Sequence, residues 1–105
     1  MTADRRRLCD DGAVPDGGMM RFEFDDIDPV LLCNVEGILR AVDDECTHAI
    51  ASLSDGRLDG AILFCPMHGG SFDIRTGKAK SLPCKQALRV HSVEVADGAV
   101  WLLVP

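Results

Sequence analysis

Two short motifs, Cys46-Thr47-His48 and Cys65-Pro66-Met67-His68, place the strongest constraint on how this chain folds. Sixteen residues separate His48 from Cys65, and each motif carries one thiol and one imidazole. Thiolate and imidazole groups are the side chains that bind zinc and iron–sulfur centres in proteins. A fold that brings the two motifs together therefore supplies four metal ligands in the order Cys, His, Cys, His.

The order of these ligands indicates an iron–sulfur centre of the Rieske type. In such a centre two cysteines bind one iron of a 2Fe-2S cluster and two histidines bind the other. Two ferric ions, two sulfides and two thiolates sum to zero charge, whereas four thiolates leave a dianion that resists reduction. This explains the class potentials of about −150 to +300 mV, against about −400 mV for plant-type ferredoxins. The predicted cluster ligands are Cys46, His48, Cys65 and His68.

A structural zinc site is the alternative interpretation of the same four residues. Zinc fingers of mixed type usually pair like ligands, with two cysteines in one loop and two histidines in the other. Here each loop combines cysteine with histidine at unequal spacing, and Gly69-Gly70 follows the second motif directly. These features favour the iron–sulfur cluster over zinc.

Length and composition limit the classes of protein that remain. A chain of 105 residues with 47% hydrophobic and 27% charged residues is typical of one soluble globular domain, which we expect to span residues 1–105. A net charge of −6 argues against nucleic acid as a partner and favours a basic protein surface. The longest apolar runs, such as residues 100–104, are too short to span a membrane. The basic N-terminus lacks the apolar stretch of a secretory signal, so we expect a cytoplasmic protein.

Short apolar segments separated by turn residues predict an all-β fold. Residues 35–37 connect two of these segments tightly, and Asp97-Gly98 is the strongest hairpin signal in the sequence. Residues 10–18 are expected to form a surface loop. The predicted strands are residues 19–24, 30–34, 38–42, 61–64, 71–74, 87–95 and 99–104.

The sequence around both motifs resembles the Rieske ferredoxins of bacterial aromatic ring-hydroxylating dioxygenases, such as those acting on biphenyl, naphthalene, carbazole or toluene. The resemblance includes residues 43–45 before the first motif, residues 69–73 after the second, and the Thr76-Gly77 turn. It implies an antiparallel β-sandwich base with a small cluster-binding subdomain, here about residues 43–84, in which Ser81-Leu82-Pro83 resembles the loop that covers the cluster.

The same resemblance implies an electron carrier and not an enzyme. In this family a flavoprotein reductase oxidises NADH or NADPH and passes electrons singly to the ferredoxin, which delivers them to a terminal oxygenase. We expect both partners to bind transiently and the carrier to be a monomer. A chain that was itself an oxygenase would need a second iron held by two histidines and a carboxylate, and only His91 is left over. A small Rieske-like subunit of a nitrite reductase remains the alternative function.

Departures from the high-potential branch of the family predict a low reduction potential. That branch carries an extra disulfide between the ligand loops, at positions that are Ala51 and Met67 here. It also places a serine and a tyrosine whose hydroxyls donate hydrogen bonds to the cluster sulfurs, where this chain has Gly70 and Phe72. Since those donors stabilise the reduced state, their absence lowers the expected potential.

Several residues other than the four predicted cluster ligands are expected to have structural roles. We expect Cys9 and Cys33 to be small buried hydrophobes, Trp101 and the phenylalanines to lie in the core, and Arg5 to Arg7 to form a solvated terminus. Cys84 follows the cover loop and receives no assigned role. The residues expected to form a charged docking rim around the histidine ligands are Asp43, Asp44, Glu45, Arg75, Lys78, Lys80 and Lys85.

Overall fold

The computed structural model describes residues 4–47, 50–67 and 69–104. Within these ranges it is built from short strands and one 3-10 turn, Leu53–Asp55. In the same ranges no helix has the length and apolarity needed to cross a membrane. The strands are β1 (Asp4–Asp10), β2 (Met19–Phe22), β3 (Val30–Val35), β4 (Ile38–Asp43), β5 (Arg57–Asp59), β6 (Ile62–Phe64), β7 (Ser71–Asp73), β8 (Ala79–Ser81), β9 (Val90–His91), β10 (Val93–Ala96) and β11 (Ala99–Val104).

The strands form three antiparallel sheets that stack around two apolar cores. The first sheet has the order β1-β11-β10, the second β2-β3-β4-β9 and the third β5-β6-β7-β8. One core lies between the first and second sheets, and the other lies between the second and third sheets. The prediction of an all-β fold with an antiparallel sandwich base is confirmed.

Strand β3 explains why the second sheet occupies the middle of this arrangement. Successive side chains of a strand point to opposite faces, so a strand covered on both sides must be apolar throughout. Val30 and Leu32 enter the core shared with the first sheet, while Leu31 and Cys33 enter the core shared with the third, and all four are fully buried. The uninterrupted apolar run in the sequence therefore fixes the position of β3.

Both predicted hairpins are present, and their turns have the geometry that short β-hairpins require. Glu36 and Gly37 join β3 to β4 with φ values of 55° and 82°, and Asp97 and Gly98 join β10 to β11 with φ values of 55° and 73°. Positive φ at both central residues matches the twist of the flanking strands. The loop predicted for residues 10–18 also lacks strand structure from residue 11 to residue 18.

The arginine run is largely exposed to solvent, as predicted, but it forms a strand that the sequence did not predict. Arg5, Arg6 and Arg7 belong to β1, which pairs with β11 along its length. Their charges break the apolar alternation that marks a strand, but they are neutralised on the sheet surface: Arg5 lies 3.5 Å from carboxylates of Glu94 and Asp97. Strand pairing with an apolar partner thus stabilises a segment whose own sequence does not predict it.

Trp101 and Phe64 differ from the predicted core placement. Trp101 is half-buried on the outer face of the first sheet, where the Arg5 guanidinium lies 4.1 Å from its ring centroid and its Nε1 donates to the Ala96 carbonyl at 2.9 Å. Phe72 is fully buried, and Phe22 and Phe24 are partly buried and pack against the core between the first and second sheets. Phe64 is partly exposed.

Residues 87–95, predicted as one strand, form two strands in different sheets. Val90–His91 is the edge strand of the second sheet, and Val93–Ala96 belongs to the first. The chain crosses between them at Ser92, whose carbonyl accepts a hydrogen bond from Leu103 at 3.0 Å. The short strands β5 and β8 were not predicted, because their three residues each carry no usable periodicity.

Candidate metal centre

The first ligand loop follows β4 and is closed by hydrogen bonds across its base. The Cys46 amide donates to the Ala51 carbonyl at 3.0 Å, and Glu45 and Ser52 form an antiparallel bridge. Cys46 is buried, with 4% of its surface exposed. The predicted ligand His48 belongs to this loop in sequence, but it lies outside the residues that the structure describes.

The second ligand loop follows β6 and closes in the same way. The Cys65 amide donates to the Gly70 carbonyl at 2.8 Å, and Cys65 is as buried as Cys46. Gly69 has a φ of 74°, a left-handed conformation that favours glycine at this tight connection into β7. The predicted ligand His68 also lies outside the described residues.

The two ligand loops bring both cysteines into one apolar core. Cys46, Cys65, Leu63 and Phe72 belong to the same buried cluster. Burial raises the pKa of the Cys65 thiol above its ordinary value. A bound cation reverses this effect and holds a coordinating thiol in its ionised form. Two adjacent thiols in a water-poor site therefore suit a metal cluster that takes cysteine on one iron.

A third cysteine lies beside this pair. Cys84 is buried, and its Sγ lies 3.9 Å from the Sγ of Cys46. Burial, followed by the neighbouring Cys46 and Cys65, raises the pKa of Cys84 to about 12. The sequence placed Cys84 after the cover loop but gave no sign of this contact. Cys9 and Cys33 are buried apolar residues, as predicted.

A buried aspartate attaches the first ligand loop to the rest of the protein. Asp44 is 1% exposed and accepts hydrogen bonds from Arg21 Nε at 2.8 Å and from the Ser54 amide at 2.9 Å. The Asp44 carbonyl accepts from the Leu53 amide at 2.7 Å. This contact was missed because Arg21 lies 23 residues earlier in the chain and local patterns do not reveal such a partner.

The burial of Asp44 corrects the charged rim predicted from the sequence. Asp44 is not a surface charge. Asp43 is also partly withdrawn from solvent, since it lies 2.7 Å from His91 Nε2 and 3.9 Å from Arg89 Nε. Of the three acidic residues before Cys46, only Glu45 is exposed. Arg75 is exposed but is bound to Asp73, whose pKa it lowers to about 2. Lys78, Lys80 and Lys85 are exposed as predicted.

Apolar side chains are exposed on the two ligand loops and on the cover loop. Ile50, in the first ligand loop, has 98% of its surface exposed, and Leu82, in the cover loop, has 71%. Met67, which precedes His68 in the second loop, is 42% exposed. We refer to Ile50, Met67 and Leu82 as the apolar tip. Sequence reasoning missed it, because it looked for charges around the ligands.

Comparison with known proteins identifies the type of domain. Residues 5–94 match the family model described as the Rieske [2Fe-2S] domain. The chain is 40% identical over 98 residues to the 3-phenylpropionate/cinnamic acid dioxygenase ferredoxin subunit of Photorhabdus laumondii, covering 92% of this chain and 91% of the relative. It is 40% identical over 94 residues to the ferredoxin component of biphenyl 2,3-dioxygenase from Rhodococcus jostii, covering 90% and 87%.

A solved structure has the same fold over nearly the whole chain. It is a chain of the complex of reduced oxygenase and oxidised ferredoxin in carbazole 1,9a-dioxygenase, with a TM-score of 0.91 and 37% sequence identity. The match covers 94% of this chain and 92% of that chain.

Proposed function

Because the chain belongs to the Rieske [2Fe-2S] family, we propose that it carries single electrons from an NAD(P)H-dependent flavoprotein reductase to a terminal ring-hydroxylating oxygenase. The relatives are ferredoxin components, so the chain is an electron carrier and not the catalytic enzyme of its system. Its cofactor is one Rieske 2Fe-2S cluster, which supplies a one-electron acceptor. The observation that carries the proposal is the pair of buried cysteines, Cys46 and Cys65, in two neighbouring loops.

The proposed ligands are Cys46 and Cys65 for one iron and His48 and His68 for the other. The donor set supports this assignment: each loop is closed by a backbone hydrogen bond from its cysteine, and each contains one histidine in sequence. The thiols face the apolar core, while residues that flank the histidines, Ile50 and Met67, face solvent. Burial of the cysteines excludes water from one side of the site, and the other side is left to the partners.

We further propose that residues 1–105 act as one domain with a cluster-binding subdomain at residues 43–84, and that the protein is a cytoplasmic monomer. The third sheet supports the subdomain, because β5 to β8 pair only with one another among the described strands.

Purified protein is expected to be red-brown and to contain two irons and two sulfides per chain. Its reduced form should show an EPR spectrum with an average g value below that of four-cysteine clusters, because nitrogen ligates one iron.

Voltammetry should give a reduction potential of about −100 mV or lower, in the lower part of the class range. A colourless protein that contains zinc would contradict the cluster, and a potential above about +100 mV would contradict the low-potential assignment.

The transfer function is tested directly by stopped-flow absorption. With NADH, the cluster is expected to be reduced only when a flavoprotein reductase is present, and to be reoxidised by an oxidised terminal oxygenase. The partners of the Photorhabdus laumondii system are suitable probes, because its ferredoxin covers 92% of this chain at 40% identity. Reduction that needs no reductase, or a reduced cluster that no oxygenase reoxidises, would overturn the role.

The apolar tip is proposed as the contact surface for both partners. Apolar side chains that are exposed together on neighbouring loops favour a protein interaction site. These three lie on the loops that carry Cys46 and Cys65 and on the cover loop. Replacing Ile50 and Leu82 by serine is expected to slow electron transfer with either partner about tenfold, since about 1.4 kcal/mol of apolar contact corresponds to a factor of ten. The measurement is the second-order rate constant at fixed salt.

A matched control is Ile38→Ser. Ile38 is 53% exposed at the start of β4, next to the β3–β4 hairpin turn, and belongs to neither ligand loop. It should leave the rate constants unchanged, and the cluster potential should be the same in all variants. Equal slowing by Ile38→Ser, or no slowing by the double variant, would remove the apolar tip from the docking surface.

A further inference from the structure

We propose that the Cys84 thiol donates a hydrogen bond to the sulfur of Cys46 and thereby stabilises the reduced form of the cluster. The inference rests on the proposed function, because it takes Cys46 as a cluster ligand. The two sulfur atoms lie 3.9 Å apart, within the range of a hydrogen bond between sulfurs. Cys84 would then be a positioning and tuning residue for electron transfer, and not a ligand.

Burial strengthens this contact. Cys84 is 3% exposed and Cys46 is 4% exposed, and both belong to the core that also contains Leu63 and Phe72. Water therefore does not compete for the S–H group or for the acceptor sulfur. A weak donor such as a thiol has a larger effect on a charged acceptor when the surroundings are apolar.

The position of the Cys84 sulfur is set by close packing against the second ligand loop. A Cβ atom placed on Gly70 would lie 2.2 Å from Cys84 Sγ and 3.3 Å from Cys84 Cβ. The thiol therefore occupies the space that a side chain of residue 70 would fill. Because Gly70 leaves that space open, the sulfur reaches the ligand cysteines from the cover loop.

The first ligand loop fixes the same segment from the other side. Thr47 Oγ1 donates to the Gln86 carbonyl at 2.8 Å, and the Cys84 amide donates to the Ser81 carbonyl at 3.1 Å. Ser81 Oγ in turn donates to the Gly69 carbonyl at 3.2 Å. The segment from Ser81 to Gln86 is thus attached to both ligand loops, which holds the Cys84 sulfur beside Cys46.

The direction of the hydrogen bond follows from the proposed ligand set. A cysteine that ligates iron is a thiolate and has no proton to give, so the proton must come from Cys84. The four proposed ligands complete the donor set of a Rieske centre without Cys84, so we take its thiol as the donor.

The consequence is a shift in the reduction potential. Reduction adds one negative charge to the centre, and donors to the cluster sulfurs favour the state with more negative charge. In Cys84→Ala the donor is lost, so at a fixed solution potential the ratio of reduced to oxidised protein should fall about three- to tenfold. A tenfold change corresponds to 59 mV for a one-electron couple.

The test is voltammetry of the holoprotein, with iron and sulfide analysis of each variant. Cys33→Ala is the matched control, because it removes an equally buried thiol from β3 of the second sheet, and its potential should equal that of the wild type. Cys84→Ser keeps a hydroxyl donor on a shorter bond and should give a potential between those of the wild type and Cys84→Ala. Resonance Raman in D2O should show a deuterium shift of an Fe–S(Cys) mode that decreases in Cys84→Ala.

The outcomes separate this inference from the proposed function. A wild-type protein without a 2Fe-2S cluster would overturn both. A Cys84→Ala protein with two irons and an unchanged potential would overturn the inference alone. If Cys84→Ala does not fold, the Cys84→Ser variant tests the inference instead. A folded Cys84→Ser protein without a cluster would indicate that Cys84 is a ligand and would contradict a donor role. Retention of its cluster with a lowered potential would support the donor.

Discussion

Replacing Cys46 or Cys65 by alanine is expected to abolish cluster binding, so that iron content falls from two atoms per chain to none. Each thiolate is one of only two proposed for its iron, and a 2Fe-2S centre is held by its protein ligands alone. The measurement is iron and acid-labile sulfide analysis together with the visible absorption of protein purified under identical conditions.

The chain supplies its own control for this result. Cys33→Ala and Cys9→Ala remove buried thiols that belong to neither ligand loop, and both variants should keep two irons. Each cavity left by a lost sulfur costs about 1 kcal/mol, too little to unfold a typical domain. A coloured Cys46→Ala or Cys65→Ala protein with full iron content would refute the ligand assignment.

Asp44→Ala is expected to destabilise the folded protein by about 3 kcal/mol, because it removes a buried acceptor from two hydrogen bonds. The Asp44 carboxylate joins Arg21 of β2 to the Ser54 amide in the 3-10 turn. Asp44 lies two residues before the proposed ligand Cys46. Without it the Ser54 amide loses its acceptor and the first ligand loop loses its attachment to the second sheet. The measurement is the free energy of unfolding of the holoprotein in urea at pH 7.

Two neighbouring variants make this prediction specific. Asp44→Asn keeps an oxygen acceptor but loses the charge, so its stability should lie between those of the wild type and Asp44→Ala. Glu45→Ala removes an exposed carboxylate from the next position, and its effect should stay within about 0.5 kcal/mol. If Asp44→Ala and Glu45→Ala have equal effects, the buried ion pair does not hold the loop.

The burial of Asp44 shows why adjacent charges in a sequence need not share a role. Asp43, Asp44 and Glu45 are consecutive and were predicted to form one docking patch. In the folded protein Asp43 lies beside His91, Asp44 beside Arg21, and Glu45 faces solvent. Different partners hold Asp43 and Asp44, so electrostatic steering cannot be inferred from the sequence run alone.

The sequence by itself determined the type of fold and the type of centre. Turn residues such as Asp97-Gly98 and the apolar run of β3 specify hairpins and a doubly covered strand through local conformation and burial. The two Cys/His motifs specify the cluster because ligand chemistry depends on residue types and their order. These features act over a few residues, which is why they can be recognised without coordinates.

Only the tertiary structure decided which distant residues complete the site. The contact of Cys84 with Cys46 joins residues 38 positions apart, and that of Asp44 with Arg21 joins residues 23 positions apart. The strand formed by Arg5 to Arg7 likewise depends on β11, at the other end of the chain. Such contacts are fixed by how the three sheets pack, because burial and hydrogen bonding depend on neighbours in space and leave no periodic signal along the sequence.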